Sequence, residues 1–284
     1  MDTVLIAGGR TTGLMMAAEL ARRGIPVRII DKSPGIDPHV RATLLHSRTL
    51  EIFQGLGIAD QATQGSIAEQ GVRIYANGEL VGDSRHQPLD SPFPYGMAQS
   101  QAHVEAVLEA HLGRYGVAVE RNVELVELSQ DETGVEAGLS LADGSKETVS
   151  SQWLVGCDGA HSSVRHLIGS AFPGEADRIP YMLGDVQIDN DLERGEGHVF
   201  LHGSGQLFIF STLPQERRLV CATVEVDQPI DGAPSLEQLQ AVVSQRCGPR
   251  MRLHDPRWLT YFHINYRLAP HYREGRVFLA GDAA

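Results

Sequence analysis

Cysteine is scarce in this 284-residue chain, and long apolar runs are missing. The three cysteines, Cys157, Cys221 and Cys247, are an odd number without paired or metal-type spacing, so we expect reduced side chains that pack in the interior. No apolar run reaches the roughly 20 residues that a membrane helix requires, and the first residues lack the basic and apolar blocks of a signal peptide. The sequence therefore predicts a cytoplasmic protein without a membrane partner.

Positive charge is also in short supply. The chain has 24 Lys and Arg against 36 Asp and Glu, a net charge of −12, which argues against nucleic acid as a partner. The sequence shows no zinc-type cluster of His, Cys and Glu, no G-x-S-x-G nucleophile elbow, no P-loop and no internal repeat. We therefore predict no metal site and assign no catalytic residue. The length is sufficient for two domains.

The first part of the chain follows the pattern strand, glycine loop, helix, strand, acid. Residues 4–7 are an apolar run, Gly8 to Gly13 form the loop, and residues 14–23 carry a helical stripe of apolar side chains. Residues 25–30 predict the next buried strand, which ends at Asp31. In such a unit the pyrophosphate of a dinucleotide binds at the helix N-terminus, and the carboxylate binds a ribose hydroxyl. A tight turn without a ligand is the alternative interpretation.

One residue breaks the glycine pattern. In G-x-G-x-x-G the second glycine lets the backbone approach the pyrophosphate, and that position is Arg10. A side chain there is expected to crowd the phosphates and to weaken the site, so Arg10→Gly is predicted to tighten cofactor binding. The alternative is that the guanidinium pairs with the phosphates.

Two further motifs each follow a predicted buried strand. Residues 153–157 lead to Asp158-Gly159, followed by a serine at a helix start and Arg165. Residues 275–280 lead to Gly281-Asp282. The carboxyl ends of central parallel strands open onto the crevice where α/β sheets bind ligands, so we expect these groups at one rim. For the first motif, a capping turn with an exposed arginine is the alternative.

These stretches together resemble the FAD-dependent aromatic hydroxylases, the single-component flavoprotein monooxygenases. The resemblance implies FAD as cofactor and NAD(P)H as reductant. It also implies oxygen transfer, through a flavin hydroperoxide, to a small phenolic or polyketide-like aromatic substrate. The residues that it assigns to cofactor binding are Gly8, Thr12, Gly13, Asp31, Lys32, Arg41, Gln101, Leu125, Asp158, Gly159, Arg165, Gly281 and Asp282.

Three of these residues have weak support outside the resemblance. Arg41 belongs to an Arg-Ala pair that reaches the flavin nucleotide in the family, and taken alone it is a surface charge. Gln101 precedes Glu105 by four residues, as in the family, and is otherwise an ordinary first-turn residue. The resemblance places Leu125 beside the adenine ring of FAD, and packing in the interior explains an apolar residue at this position equally well.

The expected fold is α/β, a Rossmann-like FAD-binding βαβ domain interleaved along the sequence with an α+β substrate domain built on an antiparallel sheet. The FAD-binding domain is predicted to take residues 1–71, 99–171 and 267–284. The substrate domain is predicted to take residues 72–98, with a hairpin at Asn77-Gly78, and residues 172–266. Six residues are candidates to line an aromatic cavity there, with plain packing as the alternative: His202, Phe208, Phe210, Tyr261, His263 and Tyr266.

Family members continue beyond the Gly-Asp motif with a His-x-x-x-Pro region and a glycine-rich helix start, and this chain does not contain them. The first interpretation is an FAD-dependent hydroxylase represented by its N-terminal portion. The second is a non-catalytic homologue with impaired cofactor binding. The third, another FAD- or NAD-dependent oxidoreductase, is disfavoured because the motifs at Asp158 and Asp282 have no role in an NAD-type dehydrogenase.

Overall fold

A computed structural model of the chain describes residues 3–85, 89–177, 179–189, 192, 194–203, 206–225, 232–247 and 251–284. The chain forms two compact units, each assembled from separate stretches. The first unit comprises Met1–Asp37, Val104–Glu175 and Tyr266–Ala284, and the second comprises Pro38–His103 and Ala176–Asn265.

The helices and strands are numbered in chain order. The elements up to residue 113 are β1 (Val4–Ala7), α1 (Thr11–Ala21), β2 (Val27–Asp31), β3 (Leu44–Leu45), α2 (Ser47–Leu56), α3 (Ala59–Ala62), β4 (Ile67–Glu69), β5 (Gly71–Ala76), β6 (Glu79–Arg85), β7 (Gly96–Ala98) and α4 (Gln101–Gly113). Those from residue 119 to residue 189 are β8 (Val119–Arg121), β9 (Glu124–Gln130), β10 (Val135–Ser140), β11 (Lys146–Ser151), β12 (Trp153–Gly156), α5 (Ser163–Leu167), β13 (Gly174–Ala176) and β14 (Tyr181–Asp189). The remaining ones are β15 (Glu196–His202), β16 (Gln206–Thr212), β17 (Arg218–Thr223), α6 (Leu236–Cys247), β18 (Arg252–Phe262), β19 (Asn265–Arg267), β20 (Arg273–Glu274), β21 (Val277–Leu279) and a 3₁₀ turn (Gly281–Ala283). Among the described helices, none is long and apolar enough to cross a membrane.

The first unit is built on a six-stranded sheet in the order β20-β21-β12-β1-β2-β8. All neighbours pair in parallel except the edge pair β20–β21. Leu5 and Ile6 of β1 point to opposite faces and are both at most 1% exposed, as expected for a central strand of a parallel sheet. The crossover from β1 through α1 to β2 confirms the predicted βαβ unit. The carboxyl ends of β1, β2, β12 and β21 therefore open onto the same edge.

A smaller antiparallel sheet, β11-β10-β9, completes the core of the first unit. Val135, Ala137 and Leu139 alternate along β10 and are at most 1% exposed. They share one apolar cluster with Leu154 of β12 and Val277 of β21. The period-2 pattern of β10 thus turns one face towards the large sheet.

The second unit is built on a seven-stranded sheet in the order β18-β14-β17-β16-β15-β5-β6. Its neighbours pair antiparallel except β15 and β5, which are parallel. The predicted hairpin at Asn77-Gly78 is confirmed, with φ of 50° and 88° at the two turn residues. The α/β fold class, with an antiparallel-rich second unit, is therefore confirmed.

The boundaries of the compact units differ from the predicted segments at residues 71 and 99. The first unit ends at Asp37, and its second stretch begins at Val104. The cause is a three-stranded sheet, β3-β7-β4, which joins Leu44–Leu45 and Ile67–Glu69 to Gly96–Ala98 within the second unit. The predicted change at residue 171 or 172 falls close to the observed one after Glu175. The assignment of the units to cofactor and substrate stays a prediction.

Candidate functional site

The glycine loop after β1 packs backbone on backbone. Gly8 has a φ of 107°, and a Cβ atom on it would lie 2.3 Å from the carbonyl oxygen of Cys157. A Cβ atom on Gly13 would lie 1.8 Å from the carbonyl oxygen of Gly8. Both positions therefore require glycine, and the loop lies directly against the chain that leaves β12. Burial raises the pKa of the Cys157 thiol to about 12, so this cysteine is a neutral packing residue, as expected.

Asp31 is fixed against the same loop from the end of β2. Its Oδ2 atom accepts a hydrogen bond of 2.6 Å from the Gly9 N–H. Its Oδ1 atom accepts from the backbone N–H of Ser33 at 2.7 Å and from the Ser33 hydroxyl, and it lies 3.8 Å from Nη1 of Arg121. Asp31 is 7% exposed, whereas the neighbouring Lys32 is exposed. The structure thus brings Asp31 to the glycine loop and leaves Lys32 in solvent.

The motif after β12 forms a cap for α5. Asp158 accepts hydrogen bonds from the Ser162 hydroxyl at 2.5 Å and from the Val164 N–H at 3.1 Å. The Ser162 hydroxyl oxygen accepts one from the Arg165 N–H at 2.9 Å. Gly159 takes a φ of 84° at the turn. The capping turn considered as the alternative is therefore present, and contact of Asp158 and Gly159 with a cofactor stays a prediction.

Arg165 is buried, so the exposed arginine of that alternative was wrong. It is 3% exposed, and its guanidinium donates to the carbonyl oxygens of Ala160 at 2.7 Å and Ala283 at 3.0 Å. The guanidinium carbon lies 3.8 Å from the ring centre of Phe172, and burial lowers the pKa of the arginine. Arg165 thereby connects the loop after β12 to the loop after β21. A direct contact with phosphate stays a prediction.

The loop after β21 touches the first turn of α1. Gly281 has a φ of 64°, and a Cβ atom on it would lie 2.6 Å from Oγ1 of Thr12. Asp282 follows in the 3₁₀ turn and is exposed. Three loops that are far apart in sequence, those after β1, β12 and β21, therefore meet at one edge of the sheet.

Arg10 is held by two carboxylates, and no sequence motif pairs it with either of them. Its Nε atom lies 3.4 Å from Oε1 of Glu105, and its Nη1 atom lies 3.2 Å from Oδ2 of Asp37. Glu105, which is 1% exposed, also accepts from the backbone N–H of Thr11 at 3.3 Å and from its hydroxyl at 3.0 Å. The Gln-to-Glu spacing drew attention to Glu105, but only the tertiary fold shows its partner.

Three further residues were predicted to bind the cofactor, and the first unit does not place them at the carboxyl edge of its parallel sheet. Arg41 is exposed and Gln101 is half-buried, and both belong to the second unit. Leu125 is 5% exposed and pairs with Leu139 in the core of the first unit. Packing accounts for Leu125, and cofactor contacts of all three residues stay predictions.

The second unit contains a cavity of about 490 Å³. His39 and Trp258 stack at its wall with ring centroids 4.7 Å apart, and Leu213 and Pro214 add apolar surface. Polar side chains also line it: Gln64, Gln99, Ser100, His103, Asp185, Gln215, Arg217 and Arg257. The cavity therefore combines a flat aromatic surface with several hydrogen-bonding groups.

The six residues predicted to line an aromatic cavity do not line this one. Phe208 and Phe210 are at most 1% exposed in the apolar core, and Tyr261 packs against that core. His263 is exposed, and Tyr266 is 61% exposed and belongs to the first unit. His202 is half-buried, and it is not among the residues that line this cavity in the described part of the chain. Alternation marked these residues as strand positions but did not show which face borders the cavity.

Comparisons with known proteins agree with this geometry. The family described as "FAD binding domain" matches residues 1–284. A flavin-dependent monooxygenase of Mycobacteroides abscessus is 36% identical over 99% of this chain and 62% of its own length. A rifampicin monooxygenase of Streptomyces venezuelae is 33% identical over 100% of this chain and 59% of its own length. The crystal structure of p-nitrophenol 4-monooxygenase from Pseudomonas putida superposes with a TM-score of 0.86, at 26% identity over 100% of this chain and 74% of that one. The chain thus spans about three-fifths of the curated relatives it matches.

Proposed function

The chain belongs to the FAD binding domain family, and from that premise we propose that its first unit binds FAD and that the whole protein hydroxylates an aromatic compound with NAD(P)H and oxygen. The observation that best supports the proposal is the meeting of the loops after β1, β12 and β21 beside Asp31. A Rossmann-type dinucleotide site has this arrangement at the carboxyl ends of its parallel strands. Membership of the family supports FAD as the cofactor. The relatives named above are monooxygenases, which supports the proposed reaction.

The start of α1 fits a pyrophosphate. Within the described residues, α1 begins without a side-chain cap and without an acid in its first turn. Backbone N–H groups and the helix dipole at such an end favour a bound anion. The Thr11 N–H already donates to Glu105, so the N–H groups of Thr12 and Gly13 would be the donors to phosphate.

Asp31 fits a ribose hydroxyl. A carboxylate has about four lone-pair positions. Oδ1 accepts two hydrogen bonds from Ser33, and Oδ2 accepts one from Gly9, so Oδ2 retains room for a hydroxyl donor. The same carboxylate can therefore hold the glycine loop and orient the ribose.

The cofactor and the protein would have different roles in the reaction. Bound FAD would supply the electron transfer and oxygen activation that amino-acid side chains lack. The chain would bind the cofactor, orient it and keep water from the reacting groups. We propose that the cavity of the second unit receives the aromatic compound, because the stacked rings of His39 and Trp258 offer a flat apolar wall.

Flavin fluorescence tests the FAD proposal directly. Titration of the chain should show saturable binding of one FAD per chain. Asp31→Ala should raise the dissociation constant about 10-fold or more, because it removes a charged acceptor worth about 1.5–3 kcal/mol. Asp143→Ala is the matched control, since Asp143 accepts from Ser145 in an exposed turn of the same unit. A folded wild-type chain that does not bind FAD would instead support a non-catalytic homologue.

Oxygen dependence separates a monooxygenase from a dehydrogenase. With FAD and a phenol present, the whole protein should consume NAD(P)H and oxygen together. Consumption of NAD(P)H at the same rate without oxygen would contradict the monooxygenase proposal.

A further inference from the structure

Arg10 connects three segments of the first unit. It stands between β1 and α1, and its Nε and Nη1 atoms reach Glu105 in α4 and Asp37 in the stretch that follows β2. Thr11 strengthens the same junction, because its N–H and its hydroxyl both donate to Glu105. The glycine loop, the stretch after Asp31 and the part of α4 that carries Glu105 are thus joined by a cluster of charged side chains.

The cluster lies mostly out of solvent. The side chains of Arg10, Asp37 and Glu105 are 31%, 21% and 1% exposed. The Nη2 atom of Arg10 is enclosed and has no hydrogen-bond partner among the described residues, so the guanidinium is turned into the protein. Attraction between such partly buried charges is screened less than between surface charges.

The backbone accepts the arginine without strain. Arg10 has φ of −102° and ψ of −170°, an extended conformation that any L-residue adopts. The substitution for glycine therefore does not distort the loop, and the side chain leaves the loop towards the two carboxylates. This geometry differs from the crowded phosphate site that the sequence alone suggested.

We propose that Arg10 is a positioning residue for the cofactor. It neutralises Glu105 and Asp37, and it holds the glycine loop, the stretch after β2 and the part of α4 that carries Glu105 in place before FAD binds. The inference rests on the proposed FAD site. Without Arg10, a pyrophosphate would approach the N-terminus of α1 against two carboxylates that lack this counter-charge, and the loop would be free to move. Arg10→Gly should therefore weaken FAD binding, opposite to the effect expected from crowding.

Three replacements of Arg10 separate charge from size. Arg10→Met removes the charge and keeps much of the volume, Arg10→Gly removes both, and Arg10→Lys keeps the charge. FAD fluorescence titration should give dissociation constants about 10-fold above wild type for the Met and Gly variants, and within about 3-fold for the Lys variant. Arg28→Met is the matched control and should leave the constant unchanged. Arg28 is 25% exposed and pairs with Glu120 at 2.8 Å and Glu147 at 2.7 Å in the same unit.

A second measurement follows the protein without FAD. Hydrogen–deuterium exchange should become faster in residues 8–13 and 32–37 of Arg10→Met, and it should stay as in wild type in these residues of Arg28→Met.

A double variant tests the pair of Arg10 and Glu105. Glu105→Gln added to Arg10→Met should raise the dissociation constant of FAD by less than the two single effects combined, because the partners act as a unit.

The outcomes distinguish this inference from the proposed function. A wild-type chain that fails to bind FAD contradicts both. A chain that binds FAD equally well in all Arg10 variants, or better in Arg10→Gly, contradicts the positioning role alone and leaves the FAD site standing. A Lys variant no better than the Met variant also overturns it, since the role depends on positive charge.

Discussion

The two units bury arginines at corresponding depths but satisfy them by different means. Arg165 in the first unit donates to two carbonyl oxygens and lies over the ring of Phe172. Arg217 in the second unit, 1% exposed, donates to the carboxylates of Asp185 and Asp255 and to the carbonyl oxygens of the same two residues. Both guanidinium groups donate to carbonyl oxygens, and the guanidinium of Arg217 also pairs with two carboxylates.

The two arginines have different partners because the backbone around each of them differs. In the second unit the pairing of β14 with β18 shifts register after Asp185, and Asp255 adopts a φ of 46° at this irregularity. Two carbonyl groups there receive hydrogen bonds from Arg217. In the first unit Arg165 reaches two loop carbonyls instead. Arg217 at the irregular sheet therefore has carboxylate partners, whereas Arg165 at the loop junction donates to carbonyl oxygens.

Removing Arg217 should have the largest effect. Arg217→Met leaves the carboxylate of Asp185, which is 5% exposed, without its guanidinium. We expect the free energy of unfolding to fall by about 3–5 kcal/mol, as for other broken buried pairs. Urea denaturation followed by circular dichroism measures it.

The double variant identifies the cause. Asp185→Leu added to Arg217→Met removes the stranded charge and should restore part of the lost stability. A double variant less stable than Arg217→Met would show that packing, not charge, dominates at this position.

Removing Arg165 should have a smaller effect. Arg165→Met leaves the carbonyl groups of Ala160 and Ala283 without donors, but Asp158 keeps its hydrogen bonds from Ser162 and Val164. We expect a loss of about 1–3 kcal/mol in the same urea experiment. A loss equal to that of Arg217→Met would remove the distinction between the two units.

The glycine positions of the site could be predicted from sequence because backbone geometry selects the residue type. Gly8, Gly13 and Gly281 stand where a Cβ atom would overlap another atom, and they belong to short motifs with strands and turns around them. Asp31 was predicted for the same reason, since its distance from the loop is fixed by one βαβ unit. Local chain geometry was sufficient for this part of the site and for the fold class.

Side-chain partners could not be predicted, because they come from remote segments. Arg10 meets Glu105 across 95 residues, and Arg217 meets Asp185 across 32. Which of these groups face each other depends on strand order and register, which no short window contains. The same holds for His39 and Trp258 in the cavity, and for Arg165, whose burial its sequence motif does not predict.

A buried histidine of the first unit extends the comparison of buried charged groups in the two units, and its expected effect on stability is the smallest. His111 of α4, in the first unit, is 4% exposed, and neither ring nitrogen has a hydrogen-bond partner among the described residues. Burial, and then the nearby charge of Arg114, lower its pKa. The first unit therefore disfavours a positive charge on this ring, whereas the second unit pairs the positive charge of Arg217 with carboxylates.

The sign of the pH dependence follows from that lowered pKa. Above the unfolded-state pKa of about 6.5 the ring is neutral in both states and contributes no pH dependence. As the pH falls below that value, the unfolded chain binds the proton more readily than the folded chain, so His111 lowers the free energy of unfolding by at most about 1.4 kcal/mol per pH unit. Urea denaturation between about pH 7 and pH 5 should show a shallower decline in the free energy of unfolding for His111→Leu than for wild type. Equal slopes for wild type and His111→Leu would mean that the folded first unit accommodates a charge at this position, and the contrast with Arg217 would then apply to arginines only.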